Sequence, residues 1–116
     1  MHETQQAAAA LLALTTVPDV AAADALTAAI LDAHAAACVT RLAPAQSSYH
    51  WQGKRETAEE IPLLIKTTPA AYARLQAVVE RHHPYDTPEL IALPVTAGLP
   101  AYLAWVAAET KEAGHA

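Results

Sequence analysis

An α+β fold of order β-α-β-β-α-β, closed by one further helix, is what the sequence predicts. Three observations point to it. Short apolar runs of strand length recur along the chain, bounded by prolines and small polar residues. Between them lie two segments whose apolar residues recur at helical spacing. The sequence Gln52-Gly53-Lys54 supplies a tight turn that makes the middle strands a hairpin.

The first run, Ala8 to Val17, combines helix-favouring Ala and Leu with strand-favouring Leu-Thr-Thr-Val, and it stops at Pro18-Asp19. A buried strand followed by a helix start satisfies both signals. From Asp19 to Ala37 the pattern is helical. Leu26, Ile30 and Ala33 form a stripe with Leu31 alongside, and Asp19 caps the first turn. Cys38 to Leu42 is a strand broken at Ala43-Pro44-Ala45. Ser47 to Trp51 follows, with Tyr49 and Trp51 on one face. After a charged stretch, Lys54 to Glu60, the run Ile61 to Thr67 reads as a buried strand. Pro62 in it cannot donate to a ladder and predicts an edge or a bulge there. Thr68-Pro69 opens the second helix, which carries Tyr72, Leu75 and Val79 and ends at His82-His83-Pro84. Glu89 to Val95 is the last strand, near an edge at Pro94. Gly98-Leu99-Pro100 starts a final helix with Leu103, Trp105 and Val106, and the tail beyond Thr110 is polar and expected to fray. This is the ferredoxin-like, split βαβ arrangement: an antiparallel sheet with both helices on one face.

The chain has 116 residues and a net charge of −5, and it forms one domain over residues 1–116 with its core at about 8–110. It is 53% hydrophobic and only 16% charged, against about 25% for an average soluble protein. A small protein with one bare sheet face and so little charge is expected to hide that face in an oligomer. The acidic balance argues against nucleic acid as a partner. A single cysteine cannot form an internal disulfide, which favours a cytoplasmic setting. No apolar run reaches the roughly 20 residues needed to span a bilayer, so membrane insertion is not expected. Nothing basic precedes the apolar run Ala7 to Val17, so it is not read as an export signal.

Several stretches, in order, resemble the CutA divalent-cation tolerance family. They are Thr16-Val17-Pro18-Asp19, Ala35-Ala36-Ala37-Cys38-Val39, Ser48-Tyr49-His50-Trp51-Gln52-Gly53-Lys54, Leu63-Leu64-Ile65-Lys66-Thr67-Thr68, His83-Pro84-Tyr85-Asp86-Thr87-Pro88-Glu89 and Pro100-Ala101-Tyr102-Leu103-Ala104-Trp105. The resemblance implies a ferredoxin-like protomer in a homotrimer similar to the PII signalling proteins, its long hairpin reaching a neighbouring subunit. It also implies a cytoplasmic role in tolerance of divalent cations, copper above all, without catalysis.

Cys38 is the one thiol, a soft ligand suited to copper, and it stands where the family has its metal-linked cysteine. Some family members carry another cysteine where this chain has Thr15, and one more in the second helix. A single sulfur predicts weak binding, and a small buried residue at a helix-to-strand junction is the alternative. His82 and His83, adjacent on a helix, point about 100° apart and do not grip one ion together. His83 is a candidate metal ligand or a residue favouring the helix C-terminus. His2, His34, His50 and His115 are expected at the surface. Lys66, Thr67, Tyr85 and Glu89, with Trp51, form a candidate ligand cleft between subunits. It would take a small anion through Lys66 or a cation through Glu89, and the alternative is a Lys–Glu pair that fixes the interface. Tyr49, Trp51 and Trp105 are expected to pack in the core or an interface. No triad, Walker loop, Gly-rich dinucleotide motif or acid pair is present, which argues against an enzyme. The two readings are a metal-tolerance trimer and a PII-like module for an anion or an unidentified protein.

Overall fold

A computed structural model describes residues 8–112. The expectations for the two tails, His2 and His115 included, lie outside the described residues. The elements run β1 (Ala10–Val17), α1 (Val20–Asp32), β2 (Cys38–Arg41), β3 (Ala45–Trp51), β4 (Lys54–Thr67), α2 (Tyr72–His82), β5 (Ile91–Val95) and α3 (Pro100–Glu109). The antiparallel sheet has the order β2-β4-β1-β5, and β3 pairs with the first half of β4. This is the ferredoxin-like order, with the middle hairpin drawn out into an arm.

The arm begins at a two-residue turn. Gln52 and Gly53 take φ of 51° and 78°, the left-handed pair of a type I′ turn whose twist matches that of the strands it joins. From there β4 runs unbroken for 14 residues, through the charged stretch that was expected to precede it. Pro62 therefore sits inside the central strand, paired with Thr16 on the β1 side without a bulge. Its carbonyl accepts from the Leu42 N–H at 3.0 Å, so its donor-less nitrogen faces the same side, where β2 ends and β3 has not begun. Only the reciprocal bond to the Leu42 carbonyl is missing, at the point where the β2 ladder ends, which is why the strand tolerates it. Pro94 does lie on an edge strand, since β5 pairs with β1 alone.

Alternation along β1 and β4 sorts the side chains onto two faces. Ala13, Val17, Ile61, Leu63 and Ile65 meet Ala23, Leu26 and Ile30 of α1 and Leu75 and Val79 of α2 in one buried core. The opposite, open face carries Leu12, Leu14, Leu64, Ile91 and Leu93 in register. Here Ile91 and Leu93 remain 52% and 61% exposed.

α1 starts as expected, with the Asp19 carboxylate accepting from the Ala22 N–H at 2.8 Å, but it ends at Asp32 rather than Ala37. His34 takes φ 53°, and the N–H groups of His34 and Ala35 donate to the carbonyls of Leu31 and Ile30. This is a Schellman stop with a histidine in the position glycine usually fills. The alanines around it give no punctuation, so the stop was not legible. His34 is also not a plain surface residue. Its Nδ1 lies 3.2 Å from the Glu109 carbonyl, and its own carbonyl accepts from Arg74 at 2.6 Å, tying α1, α2 and the end of α3 together.

The second helix proper begins at Tyr72. Thr68 caps the turn before it, its hydroxyl accepting from the Ala71 N–H at 3.2 Å. Pro100 starts α3 at its first position. That helix contacts β1 and β4 and buries only Val106 and, just beyond its end, Thr110, whose hydroxyl lies 3.3 Å from that of Thr68. Tyr102 and Trp105 stack against each other, 5.7 Å between ring centres, and stay largely exposed instead of packing within the chain. Tyr49 and Trp51 on the arm are exposed as well. The arm raises the radius of gyration to 15.6 Å, against about 13 Å for a compact chain of this length.

Candidate functional site

Two polar clusters stand at opposite ends of the sheet. The first lies on the open face, where β2 begins. Cys38 is directly opposite Lys66 in the ladder, so their side chains emerge side by side. The Lys66 ammonium donates to the Thr40 hydroxyl and approaches the Cys38 sulfur at 3.8 Å, and that sulfur is also 3.8 Å from Thr40 Oγ1. All three residues are half-buried. Among the described residues no carboxylate lies within 4 Å of Lys66. Its charge is thus held on an apolar face by neutral groups only. Thr67, next along β4, points to the helix side, where its buried hydroxyl donates to the Ala35 carbonyl at 2.6 Å. It fixes the end of α1 and does not share the Lys66 face.

The second cluster is built on His83, which is buried against the end of β1. The Tyr85 N–H donates to His83 Nδ1 at 3.1 Å, so that nitrogen is the acceptor. Nε2 then carries the proton and donates to the Thr16 carbonyl at 2.8 Å. Both ring nitrogens are engaged, and the imidazole is held in one tautomer. The Tyr85 ring packs 4.9 Å from it, and the Tyr85 hydroxyl donates to the buried Glu60 carboxylate at 2.9 Å. Partial burial first, and the adjacent Glu60 carboxylate second, push the phenol up from its usual 10 to about 12. Glu89 is exposed just ahead of β5.

Register gives the separation of the candidates. Cys38 is level with Lys66 and Leu12, whereas His83 is bonded at Thr16, four residues further along β1. That is about 13 Å at the usual strand rise. One copy therefore does not bring Cys38 and His83 to one ion. Likewise Glu60, the partner of Tyr85, is six residues from Lys66 on β4, about 20 Å, and Trp51 is at the far tip of the arm. Lys66, Tyr85 with Glu89, and Trp51 occupy three separate places in a single chain, so a common cleft requires more than one copy. No group of three or more His, Cys, Asp or Glu side chains is placed to hold a metal among the described residues. No helix among them is long and apolar enough to cross a membrane.

Sequence reasoning missed Thr40 and Glu60. Thr40 was findable by alternation, since it shares a face with Cys38. Glu60 was hidden because the charged stretch was read as preceding the strand instead of forming it.

Fold and clusters together define a ferredoxin-like α+β protein with a lone half-buried thiol and a pinned histidine. The family model for the CutA1 divalent ion tolerance protein matches residues 11–109. The divalent-cation tolerance protein CutA of Escherichia coli (strain K12 / DH10B) is 40% identical over 111 residues, covering 96% of this chain and 99% of that protein. Among solved structures, CutA from Xylella fastidiosa superposes with a TM-score of 0.85 at 41% identity, covering 88% of this chain and 98% of its own. CutA1 from Oryza sativa gives 0.85 at 36%, covering 90% and 95%. The protein from Archaeoglobus fulgidus described as the periplasmic divalent cation tolerance protein CutA gives 0.84 at 29%, covering 88% and 99%. The chain belongs to the CutA1 divalent ion tolerance family.

Proposed function

We propose that the protein is a non-enzymatic homotrimer acting in divalent-cation tolerance, copper above all, and that it engages soft cations weakly through Cys38. The observation that carries the metal part is the Cys38 thiol itself, half-buried on the open face, with no group of three or more His, Cys, Asp or Glu side chains placed to hold a metal among the described residues. A lone thiolate suits a soft cation, and the Lys66 ammonium 3.8 Å away opposes tight capture of any positive ion. His83 contributes to the fold rather than to an ion, because its two nitrogens are already bonded. The trimer is supported by the exposed Ile91 and Leu93 on the open face and by the exposed aromatics of the arm and α3. Calorimetry with Cu(I), Cu(II) and Zn(II) on wild type and Cys38→Ala tests the metal reading. Weak heats that vanish in the variant are expected, and identical curves overturn it. A single-copy species by light scattering at micromolar concentration overturns the trimer.

A PII-like module for a small anion is the second reading, favoured by the charge of Lys66 standing without a carboxylate among the described residues. Thermal-shift screening with nucleotides and metabolites checks it. Stabilisation that disappears in Lys66→Met supports the reading, and no stabilisation by any compound overturns it. The single cysteine supports a cytoplasmic setting. The Archaeoglobus fulgidus relative is described as periplasmic, so cell fractionation is the measurement that decides, and recovery in the periplasm overturns the cytoplasmic reading.

A further inference from the structure

Cys38 and Lys66 are directly opposite each other in the β2–β4 ladder, so their Cβ atoms stand about 5 Å apart and both side chains leave the same face. The Lys66 nitrogen lies 3.8 Å from the Cys38 sulfur, and the Thr40 hydroxyl contacts both groups. Among the described residues no carboxylate within 4 Å draws the ammonium away. The thiol is half-buried beside a positive charge, and a partly exposed, electropositive setting is where thiols are open to oxidation. The chain has one cysteine. A sulfenic acid formed on Cys38 therefore finds no thiol of its own chain with which to close a disulfide. Of the two polar side chains beside the sulfur, the Lys66 amine is a stronger nucleophile than the Thr40 hydroxyl.

We propose that peroxide couples Cys38 to Lys66 through a sulfur–nitrogen (sulfenamide) bond, a reversible oxidative cross-link between β2 and β4. The Cys38 thiolate attacks one peroxide oxygen: the S–O bond forms, the O–O bond breaks, and an electron pair passes from sulfur to peroxide. The departing hydroxide leaves as water with a proton from the Lys66 ammonium. The freed amine lone pair then attacks sulfur. The S–N bond forms, the S–O bond breaks, and the second hydroxide leaves as water with another proton of that nitrogen. The product has neither a free thiol nor a charge on Lys66, so one step removes both the soft ligand and the cation. An added thiol reverses it by attacking the sulfur and releasing the amine. The test adds hydrogen peroxide to the full chain with a metal chelator present, followed by intact mass and tryptic mapping. The expected product weighs about 2 Da less than the reduced chain, joins the Cys38 and Lys66 peptides, and resists trypsin after Lys66. Dithiothreitol should restore the reduced mass. Lys66→Arg keeps the positive charge without the amine, and it should instead gain oxygen, about 16 or about 32 Da. A wild type that only gains oxygen, stays reduced or forms a disulfide between copies overturns the proposal. So does a lighter product still cleaved after Lys66, since its sulfur is bonded to backbone nitrogen instead. Should Lys66→Arg fail to fold, the wild-type peptide map decides alone.

Discussion

Along β1, Ala13, Thr15 and Val17 alternate with Leu12, Leu14 and Thr16, and both sets are rich in apolar side chains. The first set is sealed: α1 and α2 lie over it, and Ala13, Val17, Leu63 and Ile65 have no exposure. The second set faces outward with Ile91 and Leu93 more than half exposed, and with Lys66, Thr40 and Cys38 at one end. One face is finished by the chain's own helices and the other is left for something else to finish. Stability within the chain is therefore concentrated on the first face, and the second is the face on which the proposed assembly rests. The polar residues follow the same division. On the sealed face Thr67 finds a carbonyl, while Thr15 is buried with its hydroxyl unpaired among the described residues. On the open face Lys66 keeps a charge that a sealed core would not accept.

The largest expected effect comes from the sealed face. Leu26→Ala removes a fully buried side chain from α1 and should destabilise the fold by about 2–5 kcal/mol. Denaturant unfolding measures this, and the number of associated copies should not change in the native baseline. Leu93→Lys on the open face should do the reverse, keeping the circular dichroism of the folded chain while light scattering reports loss of the assembly. A smaller gain is expected at Thr15→Val, which keeps the shape and deletes the orphaned hydroxyl. It should raise stability by about 1–2 kcal/mol, and a neutral or negative result would mean that the hydroxyl has a partner in solution.

The smallest effect lies at the alkaline end of the pH range. The folded Tyr85 phenol holds its proton up to about 12, whereas the unfolded chain releases it near 10. Above pH 10 the unfolded state gains from ionisation and the folded state does not. The stability associated with this group is thus fully present below pH 10 and declines as pH rises toward 12. The Tyr85 phenol should give a late step in an absorbance titration, and Tyr85→Phe should remove that step together with its share of the alkaline loss.

The strand in the apolar run Ala8 to Val17, the Asp19 cap, the Gln52-Gly53 turn and the Pro84 and Pro100 boundaries were all readable, because each is a local preference expressed within a few residues. The family resemblance rested on the same local stretches. The end of α1 at Asp32 was not readable, since it depends on His34 accepting a left-handed backbone that Arg74 and Glu109 then hold in place. Nor was the passage of β4 through Pro62, which depends on where β2 happens to end. The candidate sites divide in the same way. Cys38 and Lys66 are nearest neighbours across a ladder whose register only the assembled sheet sets. The placement of His83 far from Cys38, and the union of Tyr85 with Glu60, came from side-chain hydrogen bonds across 25 residues or more. The sequence by itself determined the elements, their order and the apolar character of both sheet faces, because those follow from local propensity and a period of two. Only the tertiary structure decided which face the helices cover and which polar groups meet, because such contacts join residues that no local rule connects.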